Sequence, residues 1–228
     1  MSATRRICAV VPVKDTTRAK QRLADVLTAE QRRLLALAMV EDVLQTLASV
    51  CELAGIVVVT VDPAAAAIAG RYGARIASDG AHDGQTGAVA AAARSLAANG
   101  LDLLTVPGDI PLVEPDDIRH LLSLHGAAPA FTIVPAHDQN GSNAVLCSPA
   151  DAVPLRFGDN SFFPHLEAAK AQGIAPLAVP LPRIALDIDT PADLARFRAT
   201  PSRTRSRALL DQWIARDDAP AWSRKATA

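Results

Sequence analysis

Leu103-Leu104-Thr105-Val106-Pro107-Gly108-Asp109-Ile110-Pro111-Leu112 is an apolar run that stops at an acidic residue held between glycine and proline. A short apolar run with such punctuation reads as a buried parallel strand, and open α/β sheets place their ligands beyond the carboxyl ends of such strands. Asp109 is therefore aimed at a crevice. As a hard oxygen ligand there, it suits Mg²⁺ held against the phosphates of a nucleotide. The alternative is a turn cap leading into the helix that opens near Glu114.

Outward from this strand, apolar runs alternate with helical patterns, as in a mostly parallel sheet covered by helices. Residues 7–13 read as the first strand. Thr28, with Gln31 three residues on, forms a capping box for an amphipathic helix through Leu47. Residues 53–60 are a valine-rich strand, and Pro63 opens an alanine-rich helix to about Tyr72. Residues 75–78 form a short third strand, 86–98 a helix, 103–106 the strand that feeds Asp109, and 116–124 another helix. The second half is less regular. Residues 131–134 and 143–147 read as strands around a polar loop, 161–171 as a helix, 184–189 as a last strand, and 192–197 as a helix opened by Thr190-Pro191. The domain expected from this pattern spans residues 1–199. Residues 200–228 are expected to be a poorly ordered tail, or a short helix carrying Leu209-Leu210 and Trp213-Ile214 that docks on the body or on another subunit of a homodimer. There is no internal repeat.

Composition narrows the partners. The chain has 228 residues, half of them apolar, enough for a full core. Its formal charge of -1 gives no support for an extended nucleic-acid or membrane footprint. The expected partner is a small molecule. Cys8, Cys51 and Cys147 lack any CxxC or Cys/His ligand spacing and read as buried thiols in a reducing compartment. The N-terminal segment is too short for a signal peptide, and no apolar run is long enough to span a bilayer, so the cytoplasm is the expected location.

Four loops at the ends of expected strands carry the chemistry. Lys14, Arg18, Lys20 and Arg22 follow the first strand directly and form a candidate phosphate collar, without the glycines of a P-loop; a solvated basic turn is the alternative. Residues 78–87 are glycine-rich and polar just before a helix, where Gln85 and backbone groups could read a base edge and the helix N-terminus favours phosphate. Gly141-Ser142-Asn143, with the segment from Arg156 to Ser161, offers hydroxyl and amide groups and one arginine, suited to a small anionic acid or to an ordinary turn. Asp187-Ile188-Asp189-Thr190 supplies a second acidic strand end, and two separated strand-end aspartates are what a metal-assisted phosphate site needs.

Taken in order, Val11-Pro12-Val13-Lys14, Ala19-Lys20-Gln21-Arg22-Leu23, Pro107-Gly108-Asp109-Ile110-Pro111-Leu112, Gly141-Ser142-Asn143-Ala144, Arg156-Phe157-Gly158 with Ser161, and Leu186-Asp187-Ile188-Asp189-Thr190-Pro191 closely resemble the guanylyltransferases that build coenzyme F-420. The resemblance runs over residues 7–197. It implies a Rossmann-like, three-layer α/β/α mixed sheet, the glycosyltransferase-A-like nucleotidyltransferase fold. It implies that a three-carbon phospho-acid, whether 2-phospho-L-lactate, phosphoenolpyruvate or 3-phospho-D-glycerate, attacks the α-phosphate of GTP and releases pyrophosphate. Phosphate oxygens are already nucleophilic, so such chemistry needs positioning and charge neutralisation rather than a general base. By the same resemblance Lys20, Asp109 and Asp189 are catalytic, and Asp109 and Asp189 hold Mg²⁺, with Asp187 the alternative to Asp189. The resemblance further implies that Lys14, Arg18, Lys20 and Arg22 neutralise the triphosphate and that Asn143 (or Ser142), Gly158 and Ser161 take the phospho-acid; Pro12, Val13, Gln85 and Gly87 are further candidates for the nucleotide, and Arg156 for the acid, from the loops they lie in. The chain departs from the family pattern at two places. Gly108 stands where the family usually has alanine, and Gln85-Thr86-Gly87 stands where a Leu-Asn pair commonly opens the helix. A nucleotidyltransferase acting on molybdopterin or a sugar phosphate would share the fold and the paired acids but leave the element around Arg156 unused. A non-catalytic nucleotide-binding module would not need both acids.

Overall fold

The computed structural model describes residues 6–158 and 160–215. The strands are β1 (Ile7–Pro12), β2 (Gly55–Val59), β3 (Arg75–Ala77), β4 (Asp102–Thr105), β5 (Ala130–Pro135), β6 (Ser142–Ser148) and β7 (Pro176–Ala178). They form one sheet in the order β3-β2-β1-β4-β6-β5-β7. β6 runs antiparallel to both of its neighbours, and every other pairing is parallel. This mixed sheet between two helical layers is the architecture that the family resemblance implies, with the parallel part that the alternating pattern predicts.

The alternation follows from burial on both faces. In β1, Ile7, Ala9 and Val11 face one core cluster while Cys8 and Val10 face another. A strand covered on both sides is apolar throughout, which is why it reads as a continuous run rather than alternating in polarity. The first face is closed by α1 (Ala29–Ala48), α2 (Pro63–Arg71) and α4 (Pro115–Leu124), which contribute Val40, Val43, Leu44, Ile68, Ile118 and Leu121. The other face is closed by α3 (Gly84–Ala98) and α5 (Phe162–Ala171), through Val89, Leu96, Phe162 and Ala169. The Thr28 capping box opens α1 as its sequence predicts.

Three expectations are corrected. Residues 184–189 form no strand: Pro182 opens the short helix α6 (Pro182–Ala185), and the chain then crosses the end of the sheet without a ladder partner. Its period-two pattern is real, since Leu186 and Ile188 are buried and Asp187 and Asp189 are not. The backbone partners are not those of a strand: the Ile184 and Ala185 carbonyls accept from Asn143 and His137, and the Ile188 N–H donates to the Asp109 carbonyl. The seventh strand is instead the edge strand β7, too short to stand out in the sequence. The cysteines also differ from expectation: Cys8 and Cys147 are buried, but Cys51 is exposed in the turn after α1.

Beyond α7 (Pro191–Ala199), the helix α8 (Arg205–Ala215) packs against α1, and its Leu210 and Trp213 join a third cluster with Leu35, Met39, Ile188 and Phe197. Its first turn is held by a carboxylate from another helix. Asp42 of α1 accepts from the Arg205 and Ser206 backbone N–H groups at 2.7 and 3.0 Å and from the Ser206 hydroxyl at 2.6 Å. Expectations for residues 1–5, Asp159 and 216–228 lie outside the described residues. Among those described, no helix is long and apolar enough to cross a membrane.

Candidate active site

The sheet order decides which loops meet. β1 and β4 are parallel neighbours with Val10 opposite Thr105, so the loops that follow them leave from one edge. β6 is antiparallel to β4 with Thr105 opposite Val145, so β6 begins where β4 ends and sets Ser142 and Asn143 beside Asp109. The hairpin loop between β5 and β6 lies at the same edge.

The result is a two-lobed cleft. The smaller lobe, about 320 Å³, is lined by Pro12, Val13, Lys14, Thr16, Arg18 and Lys20 with Val40 beneath them. The larger lobe, about 800 Å³, takes its wall from Ser142, Asn143, Gly158, Ser161, Asp187 and Arg22, among others. Lys14, Gln85, Pro107, Asp109 and Asp189 border both lobes. Gly87 and Arg156 border neither. Gly87 is packed into the turn before α3, where a Cβ would lie 2.3 Å from the Asp83 Cβ. The Arg156 side chain is exposed, and its backbone N–H donates inward to His165 Nε2 at 2.9 Å.

At the junction of the lobes sits an ion cluster. Lys20 Nζ lies 2.5 Å from Asp109 Oδ2 and 3.3 Å from Asp189 Oδ1, and Arg22 reaches Asp189 Oδ2 at 3.2 Å. Only 9% of the Lys20 side chain is exposed. Burial alone would lower its pKa, but the charges and hydrogen bonds of Asp109 and Asp189 outweigh burial and hold the ammonium above its ordinary range. Lys20 takes a left-handed backbone conformation, φ 54°, between the 3-10 turns Thr16–Arg18 and Gln21–Leu23, a cost that a non-glycine residue bears only where its surroundings enforce it. Arg32 enforces part of this from below, bonding the Ala19 carbonyl at 3.3 Å and the Leu27 carbonyl at 2.9 Å. Asp62 fixes the start of the same loop. It caps α2 through Ala64 and Ala65 and also accepts from the Thr16 backbone N–H at 2.8 Å and from the Thr16 hydroxyl.

The acidic loop is tied to the sheet by backbone bonds and one amide. The Ile188 N–H donates to the Asp109 carbonyl at 3.0 Å, and the His137 N–H donates to the Ala185 carbonyl at 2.8 Å. Asn143 Nδ2 faces the Ile184 and Ala185 carbonyls and Asp187 Oδ1, all at 2.9–3.0 Å. Burial, and then the charge of Asp109, push the Asp187 carboxyl above the ordinary carboxylate range. Two buried residues that organise this cleft, Asp62 and His165, carry no sequence signal of that role. Asp62 announces itself as an N-cap before Pro63, but its bond to Thr16 spans 46 residues. His165 sits in an apolar helix and carries no sequence signal of its bond to Ser142 Oγ at 3.0 Å.

The family model described as "Guanylyl transferase CofC like" matches residues 7–214. The chain belongs to this family. Among its relatives, the phosphoenolpyruvate guanylyltransferase of Roseiflexus castenholzii is 37% identical over 94% of this chain and 98% of its own. The 3-phospho-D-glycerate guanylyltransferase of Colwellia psychrerythraea is 34% identical over 81% and 88%. Among solved structures, a Desulfovibrio desulfuricans protein assigned as a nucleotide-diphospho-sugar transferase superposes with TM-score 0.74 at 20% identity, covering 92% of this chain and 96% of that one. A 4-diphosphocytidyl-2C-methyl-D-erythritol synthase superposes at 0.59 with 16% identity, covering 91% and 100%. At those identities the likeness is one of fold, and the fold is that of nucleotidyltransferases.

Proposed function

We propose that this member of the guanylyltransferase family transfers GMP from GTP to a three-carbon phospho-acid and releases pyrophosphate, as a cytoplasmic enzyme serving coenzyme F-420 assembly. The observation that carries the reading is the Lys20, Asp109 and Asp189 cluster at the junction of a cationic lobe and a hydroxyl- and amide-lined lobe. Two anionic substrates that must meet end to end need such a junction. GTP lies in the smaller lobe, with Lys14, Arg18 and Lys20 neutralising the triphosphate, Arg22 reaching it from the larger-lobe side of the junction beside Asp189, and Gln85 at the base side. The phospho-acid lies in the larger lobe against Ser142, Asn143, Gly158 and Ser161. Its phosphate oxygen attacks the α-phosphate in line, and catalysis consists of holding the two groups at attack distance and neutralising the leaving pyrophosphate.

The donor set fits Mg²⁺. Asp109 and Asp189 point hard oxygens at one cation, here the Lys20 ammonium. Among the described residues no cluster of three or more acidic, histidine or cysteine groups forms a protein cage for a metal. One or two carboxylates completed by substrate phosphates is the usual Mg²⁺ arrangement at nucleotides. When bound, the ion supplies charge stabilisation at the α-phosphate. The relatives make phosphoenolpyruvate the first acid to test. The experiment measures pyrophosphate release from GTP, ATP or CTP with each phospho-acid added separately, with mass spectrometry of the products. Release dependent on GTP and one acid, with a guanosine diphospho-acid product, is expected. Hydrolysis without transfer, or transfer from CTP alone, would overturn the reading.

A further inference from the structure

His165 is 1% exposed and has a donor on one side and a hydroxyl on the other. Its Nε2 faces the Arg156 backbone N–H at 2.9 Å, and a backbone N–H can only donate. A neutral imidazole that accepts at Nε2 carries its proton on Nδ1, so Nδ1–H donates to Ser142 Oγ at 3.0 Å. Ser142 Oγ in turn lies 3.2 Å from Ser161 Oγ, and both residues border the larger lobe. The two hydroxyls own two protons. One is shared between them, and because His165 donates instead of accepting, the second is spent on none of these bonds. With the opposite tautomer Ser142 would donate to Nδ1 and Ser161 to Ser142, leaving only lone pairs toward the cleft. That arrangement repels an anion.

We propose that His165 is a positioning residue that sets the hydrogen-bond polarity of the acid-binding lobe, so that the Ser142–Ser161 pair turns a hydroxyl donor toward a carboxylate or phosphate of the bound acid. This rests on the functional reading above. Burial pushes the His165 pKa down to about 4, which keeps the ring neutral at neutral pH. The loop that supplies the backbone donor is itself held. Phe157 packs edge-on against the imidazole with centroids 5.1 Å apart, and its N–H donates to Thr86 Oγ1 of α3 at 2.9 Å.

The test has two arms. ¹⁵N NMR of the histidine ring in the full chain without substrate is expected to show the Nδ1-protonated neutral tautomer; an Nε2-protonated ring overturns the inference. Steady-state kinetics then compares His165→Leu with His165→Asn, whose amide can place a donor near the Nδ1 position. His165→Leu removes the donor that occupies the Ser142 lone pair and so fixes the direction of the free hydroxyl proton; it is expected to raise KM for the phospho-acid at least about tenfold, the scale of one hydrogen bond to a charged group, with KM for GTP unchanged. His165→Asn is expected to recover most of that loss. An unchanged KM for the acid, an equal rise in both KM values, or no recovery by asparagine overturns the inference. Should the leucine variant not fold, the tautomer and the asparagine variant decide. A wild-type protein that releases no pyrophosphate with any acid overturns the functional reading and the inference together, a result distinct from active wild type with discordant variants.

Discussion

Asp109 has two duties at the residue scale, and they can be separated by experiment. Its carboxylate holds Lys20 across the cleft, while its backbone carbonyl fastens Ile188 and so the acidic loop. Asp109→Asn keeps the carbonyl and the side-chain shape but removes the charge. It is expected to lower turnover at least about 100-fold, roughly 3 kcal/mol of transition-state stabilisation, with an unchanged circular dichroism spectrum; near-normal turnover would remove the carboxylate from the mechanism. The neighbouring Gly108 is small for a packing reason, since its φ lies outside the left-handed region and a Cβ there would come 2.8 Å from Val40 Cγ2. Gly108→Ala, the residue usual in the family, is expected to cost about 1–3 kcal/mol by overpacking. Combined with Val40→Ala it should cost less than the sum of the singles by at least about 0.5 kcal/mol in a denaturant double-mutant cycle. His165 gives a pH signature. Its folded pKa of about 4 lies below the ordinary value of 6.5, so its contribution to stability is complete above pH 6.5 and is lost as pH falls toward 4. Urea midpoints should show wild type losing up to roughly 3 kcal/mol more than His165→Asn over that window.

At the scale of elements, the loop after β1 is shaped by groups that lie elsewhere in the chain. Asp62 closes the N-terminus of α2 and, through Thr16, fixes the start of the basic loop. Desolvation pushes its carboxyl up, but the hydrogen bonds from Thr16, Ala65 and Ala64 outweigh that and hold it below the ordinary range. Asp62→Ala removes a helix cap and strands the buried Thr16 donors. It is expected to cost about 2–4 kcal/mol and to raise KM for GTP more than KM for the acid. A variant destabilised but unaltered in KM for GTP would show that Thr16 plays no part in shaping a GTP site in the smaller lobe.

For the molecule as a whole, α8 completes a third core cluster along a second face of α1. Leu210 is fully buried and Trp213 is 8% exposed, and they cover Leu35 and Met39 of α1, the same helix from which Arg32 braces the Lys20 loop. Trp213→Ala is expected to cost about 3–5 kcal/mol, a fall in Tm of roughly 6–20 °C for a chain of this size, read by calorimetry. A fall of a degree or two would mean that α8 contributes little to the folded state.

The sequence by itself determined the alternating elements, the parallel half of the sheet and the position of Asp109, because periodicity and Gly/Pro punctuation report local burial and chain direction. Lys14, Lys20 and Asp109 were legible for the same reason: each follows a strand whose neighbour in the sheet is also parallel, so their loops share an edge. Tertiary structure alone decided the rest. The antiparallel entry of β6 brings Ser142 and Asn143 to that edge, and no local pattern distinguishes an antiparallel strand buried on both faces from a parallel one. Residues 186–189 have a strand's alternation, yet the Ile188 N–H donates to the Asp109 carbonyl of a loop and the Asp189 N–H faces the Asp193 carboxylate, so neither pairs with a strand. The first turn of α8 is capped by Asp42, 163 residues earlier in the chain. The His165 tautomer is set by a backbone N–H nine residues away, on a loop that packing rather than sequence directs inward. Local energetics choose the elements, while hydrogen-bond partners remote in sequence choose where polar side chains point, and that second choice shapes the cleft.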